Sequence, residues 1–314
     1  MRNAAPHPPP LPSGERVGKG ESRNPCLPAG RRNPNSEFKI NGMGEIVNKK
    51  IKTAALLIPP VIFLVVFGPP AIFSMMVLLA TFFGLREFYT LALPNSKKIE
   101  RFVGIGLGLA LSVIIVYGDV RAISPFFVLL LLLLSILFLG TSQNLSLTTA
   151  RMGIMLFGIF YVGFLLSHIS LVRNGVDGRE WVLFLITTVW AGDIFAFLTG
   201  SLLGRHKLYP KISPNKTYEG LAGGIAGSIL VAVTFSLLFI PTLEIGLCVL
   251  LAIGLAVLGQ LGDFTESMLK RSAQVKDSGS LIPGHGGMLD RVDSFLFSAP
   301  FLHYSLLYFL KETS

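Results

Sequence analysis

The sequence predicts an all-α integral membrane protein of nine transmembrane helices with a cytoplasmic N-terminus, on three observations. Hydrophobic residues make up 51% of the 314, charged residues only 14%, and the mean hydropathy is +0.64. A soluble protein of this length needs far more charge on its surface. Apolar runs long enough to cross a hydrocarbon layer of about 30 Å recur near 53–68, 71–92, 101–118, 122–139, 150–171, 181–203, 220–240, 243–262 and 293–310. With the N-terminus inside, the inner ends of these runs gather Lys49, Lys50, Lys52, Arg86, Lys97, Lys98, Arg101 and Arg151, together with the bases of two polar loops, 204–219 and 263–293. The outer ends hold only Arg121, Arg173, Arg179 and Lys311. Basic residues favour the cytoplasmic side of a bilayer, so the net charge of +9 reflects sidedness and gives no reason to invoke a nucleic acid partner.

Residues 1–44 are rich in Pro, Gly, Arg, Asn and Ser and lack both apolar periodicity and the core of a signal peptide. They read as a disordered tail, Pro8-Pro9-Pro10 included, ahead of a membrane-embedded domain at 45–314. The first span is short and carries Pro59-Pro60. In the second, Arg86-Glu87 interrupts an apolar run, a pattern that suits an interfacial anchor or an internal ion pair. Gly104 and Gly108 in the third span and Gly158 and Gly163 in the fifth mark close helix contacts. His168 is a lone histidine that fits a packed structural role, and neither His206 nor His303 has a convincing partner. Cys26 and Cys248 offer no disulfide framework, and Cys248 reads as a small core residue.

Chemistry begins in the sixth span. Asp193 lies deep in an apolar run between Gly192 and Gly200, where a charge is costly enough to be functional by default. It either holds a cation, orients a base or ties helices together. Ser213-Pro-Asn-Lys-Thr-Tyr-Glu-Gly220 then reads as a loop entering a helix near Thr217. The free N–H groups of that helix start, with Lys216 beside them, suit a phosphate, while Glu219 fits either the site or a capping box. Gly220, Gly223, Gly224 and Gly227 form a packing face on the seventh span.

The densest cluster is 263–293, with Asp263, Glu266, Lys270, Arg271, Lys276, Asp277, His285, Asp290, Arg291 and Asp293 between two apolar spans. If the preceding helix continues past Gly262, Asp263, Ser267 and Lys270 share one face. Gly279, Pro283, Gly284, Gly286 and Gly287 indicate a loop whose backbone N–H groups can approach an anion. Asp290 and Asp293 reopen a helix as a second acidic pair.

The string Ser267-x2-Lys270-Arg271-x4-Lys276-Asp277-x-Gly279-x2-Ile282-Pro283-x-His285-Gly286-Gly287-x2-Asp290-Arg291-x-Asp293 resembles the diagnostic motif of the phosphatidate cytidylyltransferases, or CDP-diacylglycerol synthases, with no departure at its defining positions. A second motif of the family, Ser-Pro-x-Lys-Thr-x-Glu-Gly, matches from Ser213 to Gly220, with Tyr218 where Trp is more usual. The resemblance covers roughly 45–314 and places the catalytic region at 190–293. It implies phospholipid synthesis from CTP and phosphatidic acid, giving CDP-diacylglycerol and pyrophosphate. The lipid phosphate is already an anion, so the main task is to neutralise two polyanions.

That task implies Mg²⁺ at a two-metal site. The resemblance points to Asp263 and Asp290 as ligands, with Asp293 next, and behind it Asp277 and Glu266. Lys270, Arg271, Lys276 and Arg291 suit phosphate contacts, and Ser213, Lys216, Thr217, Gly286 and Gly287 complete the substrate-binding set. His285 either donates to phosphate, transfers a proton or holds the loop, and Ser267 either meets the metal or caps locally. A homodimer in the lipid bilayer, with the site open to the cytoplasm, is also implied. The alternatives are a CTP-dependent lipid kinase and a polytopic transporter.

Met43-Gly-Glu-Ile-Val-Asn-Lys-Lys50 has the form of a natural start before a first span. The intact mass of the protein made from its native gene is therefore expected to correspond to a chain beginning at Met43. A mass that includes residues 1–42 rules this out.

Overall fold

The computed structural model describes residues 59–94, 96–141, 144–279, 281 and 286–309. The expected tail at 1–44 and the start of the first span lie outside these. Helix α1 covers residues 59–67 and ends before Pro69. A chain of helices follows: α2 (Pro70–Ala92), α3 (Lys98–Tyr117), α4 (Ile123–Thr141), α5 (Leu145–Gly158), α6 (Leu165–Asn174), α7 (Gly178–Leu203), α8 (Tyr218–Phe239), α9 (Ile245–Ser272) and α10 (Leu289–Phe309). Between α5 and α6 the residues Ile159–Phe164 wind as a π-helix, so the two form one continuous rod.

Every apolar run expected from 71 onward lies in a helix, and the protein is all-α in class. Among the described residues seven helices are long and apolar enough to cross a membrane: α2, α3, α4, the α5–α6 rod, α7, α8 and α9. Helix α10 occupies the place of the expected last span, but its first turns carry Asp290, Arg291 and Asp293 and it stands outside that set. The apolar runs understate helix length where charge begins. Helix α9 continues through Asp263, Glu266 and Lys270 to Ser272.

The segment read as a loop before α8 contains a small antiparallel hairpin, β1 (Lys207–Tyr209) and β2 (Ser213–Thr217), pairing Lys207 with Thr217 and Tyr209 with Ser213. Ile212 N donates to Tyr209 O at 3.2 Å, closing a turn with Pro210 at its second position, which proline's fixed φ favours. Strands this short leave no alternating pattern, so sequence reading sees only turn residues.

Helix packing follows the glycines. On α8, Gly224 faces Ala196 and the carbonyl of Gly192, and Gly223 and Gly227 face Thr199 and Phe195, so α7 and α8 run close together. On the other side, a methyl at Gly163 would lie 2.7 Å from the carbonyl oxygen of Gly108, so α3 and the π-helix touch backbone to backbone. Ser112 Oγ donates to Gly163 O at 2.6 Å across the same contact. Tyr89 OH donates to Met155 O at 2.8 Å and joins α2 to α5. Glu100, fully buried on α3, pairs with Arg151 of α5 at 2.8 Å. His168 is packed as expected, its Nδ1 2.9 Å from Phe164 O and its ring against His303 and Tyr304. Cys248 is buried.

A side chain at Gly163 has no flexible neighbour to displace. Gly163→Ala is expected to lower the unfolding free energy in detergent by about 1–3 kcal/mol. Gly106→Ala, whose methyl would meet nothing within 4 Å, is expected to be neutral or slightly stabilising. Equal effects at the two positions would show that the backbone contact is not formed.

Candidate functional site

Helix α9 carries its charges into the site because nothing stops it at Gly262. It ends in a Schellman turn, with Gln274 in the left-handed region at φ 58°, Val275 N on Lys270 O and Gln274 N on Arg271 O, each at 3.0 Å. Glycine usually holds that position, so a glutamine gave the sequence no stop signal. Helices α9 and α10 meet where Gly262 faces the backbone of Asp293 and leaves no room for a methyl. That contact brings Asp263 and Asp293 to the same level.

Lys270 is the centre. Its ammonium lies 2.7 Å from Asp290 Oδ1 and also pairs with Glu266 Oε2, one turn back on α9. The three side chains are 13%, 7% and 0% exposed, in the order Lys270, Asp290, Glu266. The other oxygen of Asp290 accepts from Ser278 N at 2.9 Å, Ser278 Oγ at 2.9 Å and Gly287 N at 2.8 Å. Asp290 thus gathers both described ends of the glycine loop at the start of α10. Gly286, at φ 78°, takes a conformation that glycine adopts freely.

A second pair sits beside it. Lys216, from β2, reaches Asp263 Oδ2 at 2.7 Å and lies 4.2 Å from the centroid of the Phe264 ring. Ser267 Oγ donates to Asp263 Oδ1 at 3.2 Å. Of the face expected on α9, Asp263 and Ser267 therefore meet, while Lys270 turns to Glu266 and Asp290.

Asp193 of α7 accepts from Gln260 Nε2 at 3.0 Å and from Ser294 Oγ at 3.4 Å. Asp293 Oδ1 accepts from Ser294 N at 2.7 Å. Asp193, Asp263 and Asp293 are close enough for their charges to act on one another.

Thr217 caps α8, its Oγ1 accepting from Gly220 N at 3.1 Å. Glu219 does not complete a capping box. It accepts from the backbone of Arg205 and His206 and lies 2.6 Å from His206 Nδ1, which closes the base of the hairpin. Arg271 holds the far end of the hairpin through Ile212 O at 3.3 Å. Ser213 begins β2, Lys276, Asp277 and Arg291 are exposed, and His285 lies outside the described residues.

Sequence reading missed Ser278, Gln260 and Ser294, and it took Glu87 only as half of the Arg86-Glu87 pair, an interfacial anchor or internal ion pair. Consecutive residues on a helix point about 100° apart, and here Arg86 is exposed while Glu87 is buried. Glu87 instead accepts from Met288 N at 2.9 Å, Leu289 N at 2.8 Å and Ser278 Oγ at 3.0 Å.

Among the described residues no three His, Cys, Asp or Glu side chains stand together as a ready metal cage. The donor chemistry still fits Mg²⁺. The side chains are all oxygen donors, and Asp193, Asp263, Glu266, Asp290 and Asp293 outnumber Lys216 and Lys270. Mg²⁺ needs only one or two protein carboxylates, with water and substrate phosphates supplying the rest.

The family model described as the Cytidylyltransferase family matches residues 48–309. Similar proteins include the phosphatidate cytidylyltransferase of Bacillus subtilis (strain 168), 41% identical over 189 residues, which is 60% of this chain and 68% of that protein. The enzyme of the same name from Staphylococcus haemolyticus (strain JCSC1435) is 43% identical over 152 residues, 48% of this chain and 58% of that protein. The one from Staphylococcus aureus (strain COL) is 40% identical over 154 residues, again 48% and 58%.

Removing one member of a buried ion pair leaves an uncompensated charge. Lys270→Met is therefore expected to cost about 3–5 kcal/mol of stability, measured by unfolding in detergent. The double variant Lys270→Met/Glu266→Gln is expected to recover part of that loss, since Asp290 keeps its bonds to Ser278 and Gly287 but still lacks its cation. A single variant as stable as the wild type would show that Lys270 does not neutralise Glu266.

Proposed function

This chain belongs to the cytidylyltransferase family, and we propose that it is a phosphatidate cytidylyltransferase, converting CTP and phosphatidic acid to CDP-diacylglycerol and pyrophosphate. The observation that carries this reading is the closure of the segment 263–293 on itself through Lys270, Asp290, Ser278 and Gly287. A hydrated linker has no need to bury these groups.

A lipid phosphate oxygen attacks the α-phosphorus of CTP, its bond to phosphorus forming as the bond to the pyrophosphate oxygen breaks. No proton has to be removed from the nucleophile, so the site must mainly bring anions together. Lys216 and the N-terminus of α8, fixed by the Thr217 cap, offer positive charge on one side. Thr217 acts through that helix start, since its oxygen is already committed to Gly220. Lys270 offers a second charge, and its two carboxylate partners hold the ammonium in place. Arg271, Lys276 and Arg291 are exposed and would meet a triphosphate arriving from water. Ser213 and Gly286 would add hairpin and loop backbone to that approach, and Gly287 acts through Asp290, to which its N–H is committed.

Asp263 and Asp293, with Asp193 behind them, would hold Mg²⁺. Bound there, the ion would neutralise charge on the phosphates and on the leaving pyrophosphate. Asp290 orients Lys270, and its Oδ1 would be a further oxygen ligand for the ion. Ser267 steadies Asp263. The protein is an integral membrane protein. The positive-inside pattern supports a site facing the cytoplasm, and the homodimer rests on the family resemblance.

The test uses the purified protein with phosphatidic acid and CTP labelled at either the α- or the γ-phosphate, with Mg²⁺ or EDTA, beside Asp290→Asn. Label from the α-phosphate is expected in the lipid with release of pyrophosphate, and both EDTA and the substitution are expected to abolish it. Label from the γ-phosphate in the lipid would instead establish a lipid kinase, and no transfer of either label would remove the enzymatic reading.

A further inference from the structure

We propose that Glu87, on α2, is a positioning residue of this site: it fixes the start of α10 and, through Ser278, the orientation in which Asp290 meets Lys270. The proposal rests on the reading of 263–293 as the catalytic segment, and it adds a group from outside the stretch 190–293.

Glu87 is 9% exposed and spends both oxygens on that segment. Oε1 accepts from Met288 N at 2.9 Å, and Oε2 accepts from Leu289 N at 2.8 Å and from Ser278 Oγ at 3.0 Å. The first N–H groups of a helix have no partner within it, and a carboxylate is the favoured group at that positive end. Glu87 therefore does for α10 what a capping side chain does, from a helix 201 and 202 positions away in sequence.

Capping alone would not connect Glu87 to the chemistry. Ser278 makes the connection, because its Oγ lies 3.0 Å from Glu87 Oε2 and 2.9 Å from Asp290 Oδ2. One hydroxyl proton stands between two carboxylates, so it serves one of them at a time. Ser278 N, 2.9 Å from the same Asp290 oxygen, keeps Asp290 held when the hydroxyl turns to Glu87. Asp290 Oδ1 then meets Lys270 Nζ at 2.7 Å. The line Glu87, Ser278, Asp290, Lys270 is continuous, and a displacement at its first member moves its last.

The glycines of the loop are shaped to this carboxylate. A methyl at Gly279 would stand 2.6 Å from Glu87 Oε1, and one at Gly287 would strike both Ser278 Oγ and the Glu87 carboxylate. The two described ends of the loop pack tightly against a side chain that comes from α2. Helix α2 is itself held against α5 by the two residues that follow Glu87. Tyr89 OH bonds Met155 O at 2.8 Å, and Phe88 lies where a side chain at Gly158 would be.

The experiment compares the full-length protein in detergent with Glu87→Gln, Ser278→Ala and the double variant. Four quantities are measured: kcat, KM for CTP, thermal unfolding, and amide hydrogen exchange at residues 278 and 287–291. Losing an outer partner of a reactive constellation typically costs about 10–100-fold in activity. Glu87→Gln is expected to lower kcat by about that factor while KM for CTP holds, to lower the unfolding temperature only modestly because one amide oxygen still accepts, and to speed exchange at 287–289. Ser278→Ala is expected to lower kcat without a change in fold, and the double variant to be no worse than Glu87→Gln, as for residues acting in one line. Wild-type kcat and exchange in Glu87→Gln overturn the proposal. If Glu87→Gln fails to fold, wild-type kcat in Ser278→Ala overturns it. Exchange does not depend on turnover: if the wild type transfers no α-label, the cytidylyl reading falls, and exchange in Glu87→Gln still decides whether Glu87 holds the loop.

Discussion

Lys270 lies between Glu266, fully buried on its own helix, and Asp290, nearly buried on the next. An unpaired buried ion costs several kcal/mol even after relaxation, and Lys270 is the cation that both side chains meet. The ammonium so joins α9 to α10. Once Asp290 is fixed, its second oxygen collects Ser278 and Gly287, and the two described ends of the loop are drawn to the start of α10. This cation works together with the close contact of Gly262 on the Asp293 backbone, which also sets α9 against α10.

The helices before α7 then have a role that their apolar composition does not announce. They pack against α2, whose Glu87 reaches the described ends of the loop. Gly163 against Gly108, Ser112 on the Gly163 carbonyl and Tyr89 on the Met155 carbonyl are contacts of backbone with backbone or of hydroxyl with carbonyl. In lipid, where apolar surface gains little by leaving the solvent, close packing and such bonds are what hold helices together. The π-helix belongs to this framework. It places the Gly163 carbonyl where Ser112 can take it, and an extra residue in a helical turn is tolerated when a side chain meets the freed group.

What the sequence disclosed was whatever rests on local spacing. The helix start at Thr217, the glycine contacts on α3, α5 and α8, and the density of charge at Asp263, Lys270 and Asp290 all follow from periodicity, charge density or a motif; the course of α9 past Gly262 was a condition that the structure meets. What it concealed rests on distant partners. Glu87 was conspicuous as a charge in an apolar run, but its partners lie at 278, 288 and 289. Glu219 fitted a capping box by type alone, yet the structure gives it the amides of Arg205 and His206. Ser278 occupies an unspecified position between two motif residues, and nothing about a serine beside a glycine marks it as a bridge between carboxylates.

The charge balance of the site limits what can bind there. Asp193, Asp263, Glu266, Asp290 and Asp293 converge on a region to which β2 and α9 bring Lys216 and Lys270, and both lysines are already engaged with acids. Neither lysine is free to take a phosphate as the site stands. On the proposed reading a triphosphate would have to draw Lys216 from Asp263 and Lys270 from Asp290, and those two carboxylates would then be open to a cation arriving with the substrate. The resting ion pairs thus occupy acids that the proposed Mg²⁺ would use.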